Sequence, residues 1–221
     1  MLDRTDFAPR RAEMIEKQLC RRGIKDQAVI SAMLAVPRHA FVPAELRAQA
    51  YEDLPLPIGS GQTISQPYIV AAMTAALRLK PSDRVLEIGT GCGYQAAVLS
   101  RLAQEVFTVE SHSELAAAAS ERLAQLGYSN VHVHCGDGTL GLAEFAPFEA
   151  ILVAAAAPAV PEPLLSQLAE GGRMIIPVGD TRSQELQLVE KCGVTFSKTV
   201  LEGCRFVPLV GRHGWPTTPQ R

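Results

Sequence analysis

The chain has 221 residues, with 21 Lys and Arg against 23 Asp and Glu and a formal charge of −2. That balance gives no general attraction to nucleic acid or to an anionic membrane, and the length is enough to bury a sizeable core in one domain with no linker-like division. No run of about eighteen apolar residues is present, the N-terminus lacks a signal peptide's apolar stretch, and the five cysteines contain no Cys-x-x-Cys pair. A cytoplasmic protein with free thiols is expected.

Residues 9–21 and 26–36 read as helices, parted by a break at Gly23. Pro37 and Pro43 bracket a stretch expected to be extended, and the Pro-, Gly- and Thr-rich residues 51–66 are expected to form a loop. A helix should run from Pro67 to about Leu79, with proline in its first turn. From Arg84 onward strands (84–88, 105–110, 131–135, 149–155, 172–178) alternate with helices (94–103, 112–126, 161–169). Two final strand-like runs, 185–191 and 199–209, join through Gly193 and should pair antiparallel, and the Trp215 to Pro219 tail is expected to be loose. The rhythm predicts an α/β fold: a doubly wound, mostly parallel seven-stranded sheet with N-terminal helices.

The most informative stretch is Val85-Leu86-Glu87-Ile88-Gly89-Thr90-Gly91-Cys92-Gly93-Tyr94-Gln95. It reads as a buried strand, a glycine turn and a helix start, the entrance to a nucleotide-type site. A dinucleotide fingerprint would need a sixth-position glycine, where Tyr94 stands. Gly-x-Gly-x-Gly after an acidic strand end instead resembles the first motif of S-adenosylmethionine-dependent methyltransferases. Glu110 closes the next strand seventeen residues after Gly93, close to the spacing at which a carboxylate takes two ribose hydroxyls. Gly136-Asp137-Gly138 follows the third strand, where the acid could accept the adenine amino group or serve the turn.

A second element, Gly61-Gln62-Thr63-Ile64-Ser65-Gln66-Pro67, joins a glycine turn, two hydroxyls and a helix start. Ser65 could cap that helix or carry a function. This element and Leu86 to Gln95 together resemble the protein-L-isoaspartate O-methyltransferase family. Val36-Pro37-Arg38-His39-Ala40-Phe41-Val42-Pro43, Gly136-Asp137-Gly138, Ala146 to Ile151 and Phe206-Val207-Pro208-Leu209 match that family in order and spacing, so the likeness spans about residues 10–210. It implies a Rossmann-like methyltransferase domain over residues 1–221, with residues 1–80 as a helical and substrate-loop extension.

The resemblance further implies methyl transfer from S-adenosyl-L-methionine, leaving S-adenosyl-L-homocysteine, to the α-carboxylate of L-isoaspartyl residues in damaged proteins and peptides. Succinimide closure of the ester then begins repair. By motif, Ser65 is the residue beside the reacting carboxylate. Ile64, Glu87, Gly89, Thr90, Gly91, Gly93, Glu110, Ser111, Asp137 and Gly138 are implied to hold the cofactor. No metal is implied, and neither nucleic acid nor membrane is an expected partner; a monomer is expected. The chemistry agrees, because a carboxylate with a reference pKa near ~4 is already a nucleophile at neutral pH and needs no strong base.

Some features keep other readings open. Cys92 stands where the family commonly has serine and could sensitise the site to oxidation or be a silent buried thiol. Glu149 stands in place of the more usual aspartate, and Ala154 could alter the pocket wall. His132 and His134 share a strand face but lack further ligands at zinc spacing. Arg38 and His39 could touch substrate or brace the N-terminal helices. A small carboxylic acid as acceptor and a non-catalytic cofactor-binding module are the rival functions; the absence of an Asn/Asp-Pro-Pro-Tyr/Phe element after the fourth strand counts against base methylation.

Overall fold

The structure is a computed structural model that describes residues 7–216. The N-terminal helical run changes its winding: α1 (Ala8–Met14) passes into a π-helical segment, Ile15–Leu19, and a 3-10 turn, Cys20–Arg22, before Gly23 reverses the chain at φ +93°. Helix α2 (Gln27–Ala35) starts at Asp26, whose carboxylate accepts from the N–H groups of Ala28 and Val29 at 2.9 and 3.2 Å. The stretch between Pro37 and Pro43, expected to be extended, instead carries a 3-10 segment, Arg38–Phe41, and a second, Ala44–Gln49, follows Pro43. The turns bury Arg38 and Phe41, and core burial outweighs the extended bias of a Pro-flanked sequence.

The expected loop at 51–66 contains a small antiparallel hairpin, β1 (Leu56–Gly59) and β2 (Gln62–Ile64), turned by Gly59, Ser60 and Gly61 at positive φ. Helix α3 (Pro67–Leu77) follows with Pro67 in its first turn. The main sheet then forms from β3 (Arg84–Ile88), β4 (Glu105–Glu110), β5 (Val131–Cys135), β6 (Phe148–Val153), β7 (Leu168–Gly179), β8 (Gln184–Cys192) and β9 (Thr195–Cys204). Helices α4 (Tyr94–Ser100), α5 (Ser113–Gln125) and the short α6 (Glu162–Ser166) connect the parallel strands. The expected helix at 161–169 is thus shorter, because β7 begins at Leu168; the last strand ends at Cys204, short of the expected residue 209.

The strand order is β5-β4-β3-β6-β7-β8-β9, parallel from β5 to β7 and antiparallel for the last two pairings. Val85, Leu86 and Ile88 of β3 and Ala150 to Val153 of β6 are wholly or almost wholly buried, as strands covered on both faces must be. The chain leaves β3 toward β4 on one side and returns to β6 on the other. That reversal opens a crevice at the carboxyl ends of β3 and β6, where an open α/β sheet takes its ligand.

Arg38 and His39 brace the N-terminal layer. The Arg38 Nε donates to the Ala50 carbonyl at 2.7 Å, and its guanidinium lies 4.9 Å from the centre of the Tyr94 ring. His39 stacks on Phe7 at 4.2 Å and bonds the Tyr51 hydroxyl at 2.7 Å. Trp215, expected to be loose, is anchored: its indole N–H donates to the Ala156 carbonyl at 3.0 Å and its backbone N–H to Leu209 at 2.7 Å. The rest of that expected tail, residues 217–219, lies outside the described residues.

Candidate active site

Two cavities meet at the carboxyl edge of the sheet. The first is a cleft walled by the glycine loop, the end of β4 and the segment 207–210. The second, of about 640 Å³, opens between α3, the hairpin and the end of β9, with Arg22, Tyr68 and Glu202 on its wall. Thr63, Ser65, Ala154, Val207 and Pro208 line both. Ser65 is half-buried and does not cap α3: the N-cap position is Gln66, with no side-chain cap bond. Its hydroxyl is therefore not spent on the helix, and it stands at the junction of the two spaces.

The loop between β3 and α4 is shaped by three glycines with φ of +96°, +54° and +88° at Gly89, Gly91 and Gly93. A side chain at Gly89 would meet Ala154 at 3.5 Å, and one at Gly91 would press on the Ile58 Cδ1 at 3.1 Å. Gly93 serves packing: its Cβ position lies 3.1 Å from Leu123 of α5, and it is not on the cleft wall. Glu110 is held from two sides, one oxygen accepting from the Gly91 N–H at 2.8 Å and the other from the His112 N–H at 3.0 Å. The His112-bound oxygen also meets the His112 Nδ1 at 3.1 Å and the Ser111 hydroxyl at 3.4 Å, whereas the Gly91-bound oxygen, with two lone pairs and one partner, keeps acceptor capacity toward the cleft. Ile64, Thr90, Ser111 and Gly138 also lie on the wall.

Besides Gly93, two expected cofactor acids lie off the cleft wall. Glu87 is fully buried behind the loop and does not reach the wall; one of its oxygens is hydrogen-bonded with Thr108 Oγ1 at 2.6 Å, and Oε1 has no partner among the described residues. Burial pushes its carboxyl up to about 8, Thr108 pulling down and the Glu110 charge adding to the rise. Asp137 turns its carboxylate to the chain itself, accepting from the Thr139 N–H and hydroxyl at 2.9 and 2.6 Å and from the Arg212 N–H at 2.8 Å. Burial raises its pKa, but these bonds outweigh it and leave the carboxyl below its usual value. Acids beside glycines at strand ends look alike in sequence, whether they face a ligand or tie down a turn.

Sequence reasoning left the 207–210 wall unassigned, and Tyr68 and Glu202 went unnoticed. Tyr68 and Glu202 come from distant parts of the chain and carry no local motif, and the Phe206 to Leu209 match carried no role for its residues. Cys92 is buried on the cleft wall, and burial raises its thiol pKa, which favours the inert reading. His132 faces Glu105 and His134 packs on Phe145; no group of three or more metal-ligating side chains occurs among the described residues.

The geometry fits S-adenosyl-L-methionine: a bent glycine loop without intruding side chains, a braced carboxylate with one oxygen that has a lone pair to spare, and apolar Ile88 and Val109 on the wall. Comparison with known proteins decides the family. The sequence profile of Protein-L-isoaspartate(D-aspartate) O-methyltransferase matches residues 9–214. The chain belongs to the protein-L-isoaspartate O-methyltransferase family. Relatives under that name include one from Koribacter versatilis, 55% identical over 213 residues and covering 96% of each chain. Protein-L-isoaspartate O-methyltransferase 2 of Pelobacter propionicus is 59% identical over 208 residues, 93% of this chain and 92% of its own. A solved protein-L-isoaspartate O-methyltransferase superposes with a TM-score of 0.83 at 32% identity, over 92% of this chain and 67% of its own. A Plasmodium falciparum structure described as such a methyltransferase, in complex with S-adenosyl-L-homocysteine, gives 0.78 at 27% identity, covering 90% and 98%. Within the family, the Thr63 to Pro67 element and the glycine loop of this chain form the walls of adjoining cavities.

Proposed function

We infer that this protein is an S-adenosyl-L-methionine-dependent protein carboxyl O-methyltransferase that methylates the α-carboxylate of L-isoaspartyl residues in damaged proteins and peptides, starting their repair through a succinimide. The observation that carries the site assignment is Ser65 at the junction of two cavities, one suited to the cofactor and one to a peptide. The cofactor supplies an electrophilic methyl group on a sulfonium centre. The residues around it have to aim the acceptor carboxylate and exclude water. Ser65 donates its hydroxyl hydrogen to one carboxylate oxygen and leaves a lone pair of the other for the methyl carbon. Ala154, Val207 and Pro208 give the junction an apolar wall, on which the bound cofactor and peptide would close out water. An anion and a cation react there to give two neutral products, and the transition state, with less charge than the reactants, loses little by leaving water. Alignment can contribute on the order of 7–11 kcal/mol in favourable cases.

Glu110 holds the ribose hydroxyls, Gly89, Thr90 and Gly91 border the methionine part, and Ser111 and Gly138 lie toward the adenosine. Asp137 shapes that end through Thr139 and Arg212. Residues 1–80 form the extension that carries Ser65 within one methyltransferase domain. The protein acts as a monomer on isoaspartyl proteins and peptides, with neither nucleic acid nor membrane as partner. Five free thiols accord with the cytoplasm. The roles are tested by separating binding from turnover. Ser65→Ala should lower kcat by about one to two orders of magnitude, the worth of a hydrogen bond to a charged group, with S-adenosyl-L-homocysteine affinity unchanged by calorimetry. Full turnover in Ser65→Ala would overturn its assignment.

A further inference from the structure

A buried chain of three polar groups runs from the core to the cofactor cleft. The Glu87 carboxyl meets the Thr108 hydroxyl at 2.6 Å, and Thr108 meets the Thr90 hydroxyl at 2.7 Å. Glu87 and Thr108 are wholly buried, and Thr90 lies on the cleft wall. Each threonine has one hydrogen to donate, so the two bonds cannot be polarised independently. With Glu87 ionised, Thr108 donates to Glu87 and Thr90 donates to Thr108, leaving Thr90 only lone pairs for the cleft. With Glu87 neutral, the order reverses: Glu87 donates to Thr108, Thr108 to Thr90, and the Thr90 hydrogen is no longer taken up by Thr108.

The partnerless Oε1 of Glu87 selects between proton positions. A proton there would have no acceptor, whereas a proton on the other oxygen falls on the short contact to Thr108. We propose that Glu87 is a positioning residue which, in its neutral form, turns the Thr90 hydroxyl into a donor facing the carboxylate of the cofactor's amino-acid part, making cofactor affinity depend on Glu87 protonation. The inference rests on the cleft being the cofactor site, as proposed above. Burial chiefly, with the Glu110 charge on β4 adding to it, holds Glu87 neutral at pH 7 and ionises it at about 8. The other titratable group facing it is the buried Cys92 thiol of the loop, whose own burial raises its pKa and whose neighbours are Arg38 and Arg122. From β6 its register partner is the apolar Leu152.

The test is the affinity for S-adenosyl-L-homocysteine from pH 6 to 9.5, by calorimetry, in the wild type and in Glu87→Gln. The glutamine amide donates to Thr108 at every pH and so fixes the neutral polarity. Wild-type affinity should fall about tenfold more than that of Glu87→Gln between pH 7 and 9.5, the scale of one hydrogen bond to a charged group. The ligand's own amine titrates equally in both proteins and cancels in the comparison. Superimposable curves would overturn the proposal. Should Glu87→Gln fail to fold, Thr108→Val, which leaves the Thr90 hydrogen without a competing acceptor at 108, should bind at pH 7 about as wild type does but without the extra fall toward pH 9.5, and Thr108→Ser should restore that fall; the full wild-type fall in Thr108→Val overturns the relay as well. 5′-Methylthioadenosine, which lacks the amino-acid part, should bind the wild type without this dependence, and the same fall with that ligand would contradict a role at the carboxylate. Glu110→Gln should weaken both ligands; if it weakens neither, the cleft assignment fails first, a result separate from any outcome at Glu87.

Discussion

Glu110 is an acid whose backbone anchors prepare it for a ligand. The Gly91 and His112 N–H groups each take one oxygen, so the carboxylate is oriented before anything binds. In Glu110→Gln one of those N–H groups faces an amide NH2, and the variant should bind S-adenosyl-L-homocysteine about 10- to 100-fold more weakly. Unchanged affinity by calorimetry would remove the ribose assignment. Glu87 gives a prediction about stability. Its carboxyl ionises near 4.5 in the ordinary case and at about 8 when buried in the fold. Its stability contribution is fully present below about pH 4.5 and is lost progressively as pH rises toward 8, because the unfolded chain gives up the proton first. Glu87→Gln should therefore gain melting temperature relative to wild type as pH goes from 5 to 8; a constant difference would contradict the buried, neutral state.

At the scale of elements, the β3–α4 turn divides its glycines between tasks. Gly89 and Gly91 face the cleft, whereas Gly93 admits Leu123 of α5. Gly93→Ala combines a positive φ with a 3.1 Å contact, and should cost about 1–3 kcal/mol of stability in denaturant unfolding without a specific loss of cofactor affinity. Stability equal to wild type would show that α5 yields at that contact. The strand-turn-helix pattern was legible because buried parallel strands and glycine turns have local signatures. The hairpin at 56–64 was less so: Pro57 and three positive-φ residues mask two short strands that anchor Leu56 and Ile64 in the hydrophobic core. Likewise, Ser65 as a cap and Ser65 as a free hydroxyl share one sequence, and only the cap geometry separates them. Glu87 and Asp137 read as ligand residues because a carboxylate's direction is set by tertiary partners, Thr108 in one case and Arg212 in the other.

For the molecule as a whole, the sheet topology brings segments more than a hundred residues apart to one edge. The reversal between β3 and β6 opens the cleft, and the segment after β9 returns to wall both cavities through Val207 and Pro208. Ala156 fastens that return: its N–H donates to the Val207 carbonyl, and its own carbonyl accepts from the Leu209 N–H and the Trp215 indole. On the proposed reading, the Rossmann-like sheet supplies the cofactor side, while the hairpin–α3 segment and the returning C-terminal segment complete the acceptor side. This division explains why the cofactor class could be read from one motif, whereas the acceptor required Ser65 and its neighbours. The measurement that tests the account most directly is transfer of label from methyl-radiolabelled S-adenosyl-L-methionine to matched peptides containing L-isoaspartate or L-aspartate. Base-labile label on the isoaspartyl peptide alone is the predicted result. Label on neither peptide, with S-adenosyl-L-homocysteine binding intact, would contradict the isoaspartyl assignment while leaving the cofactor cleft standing.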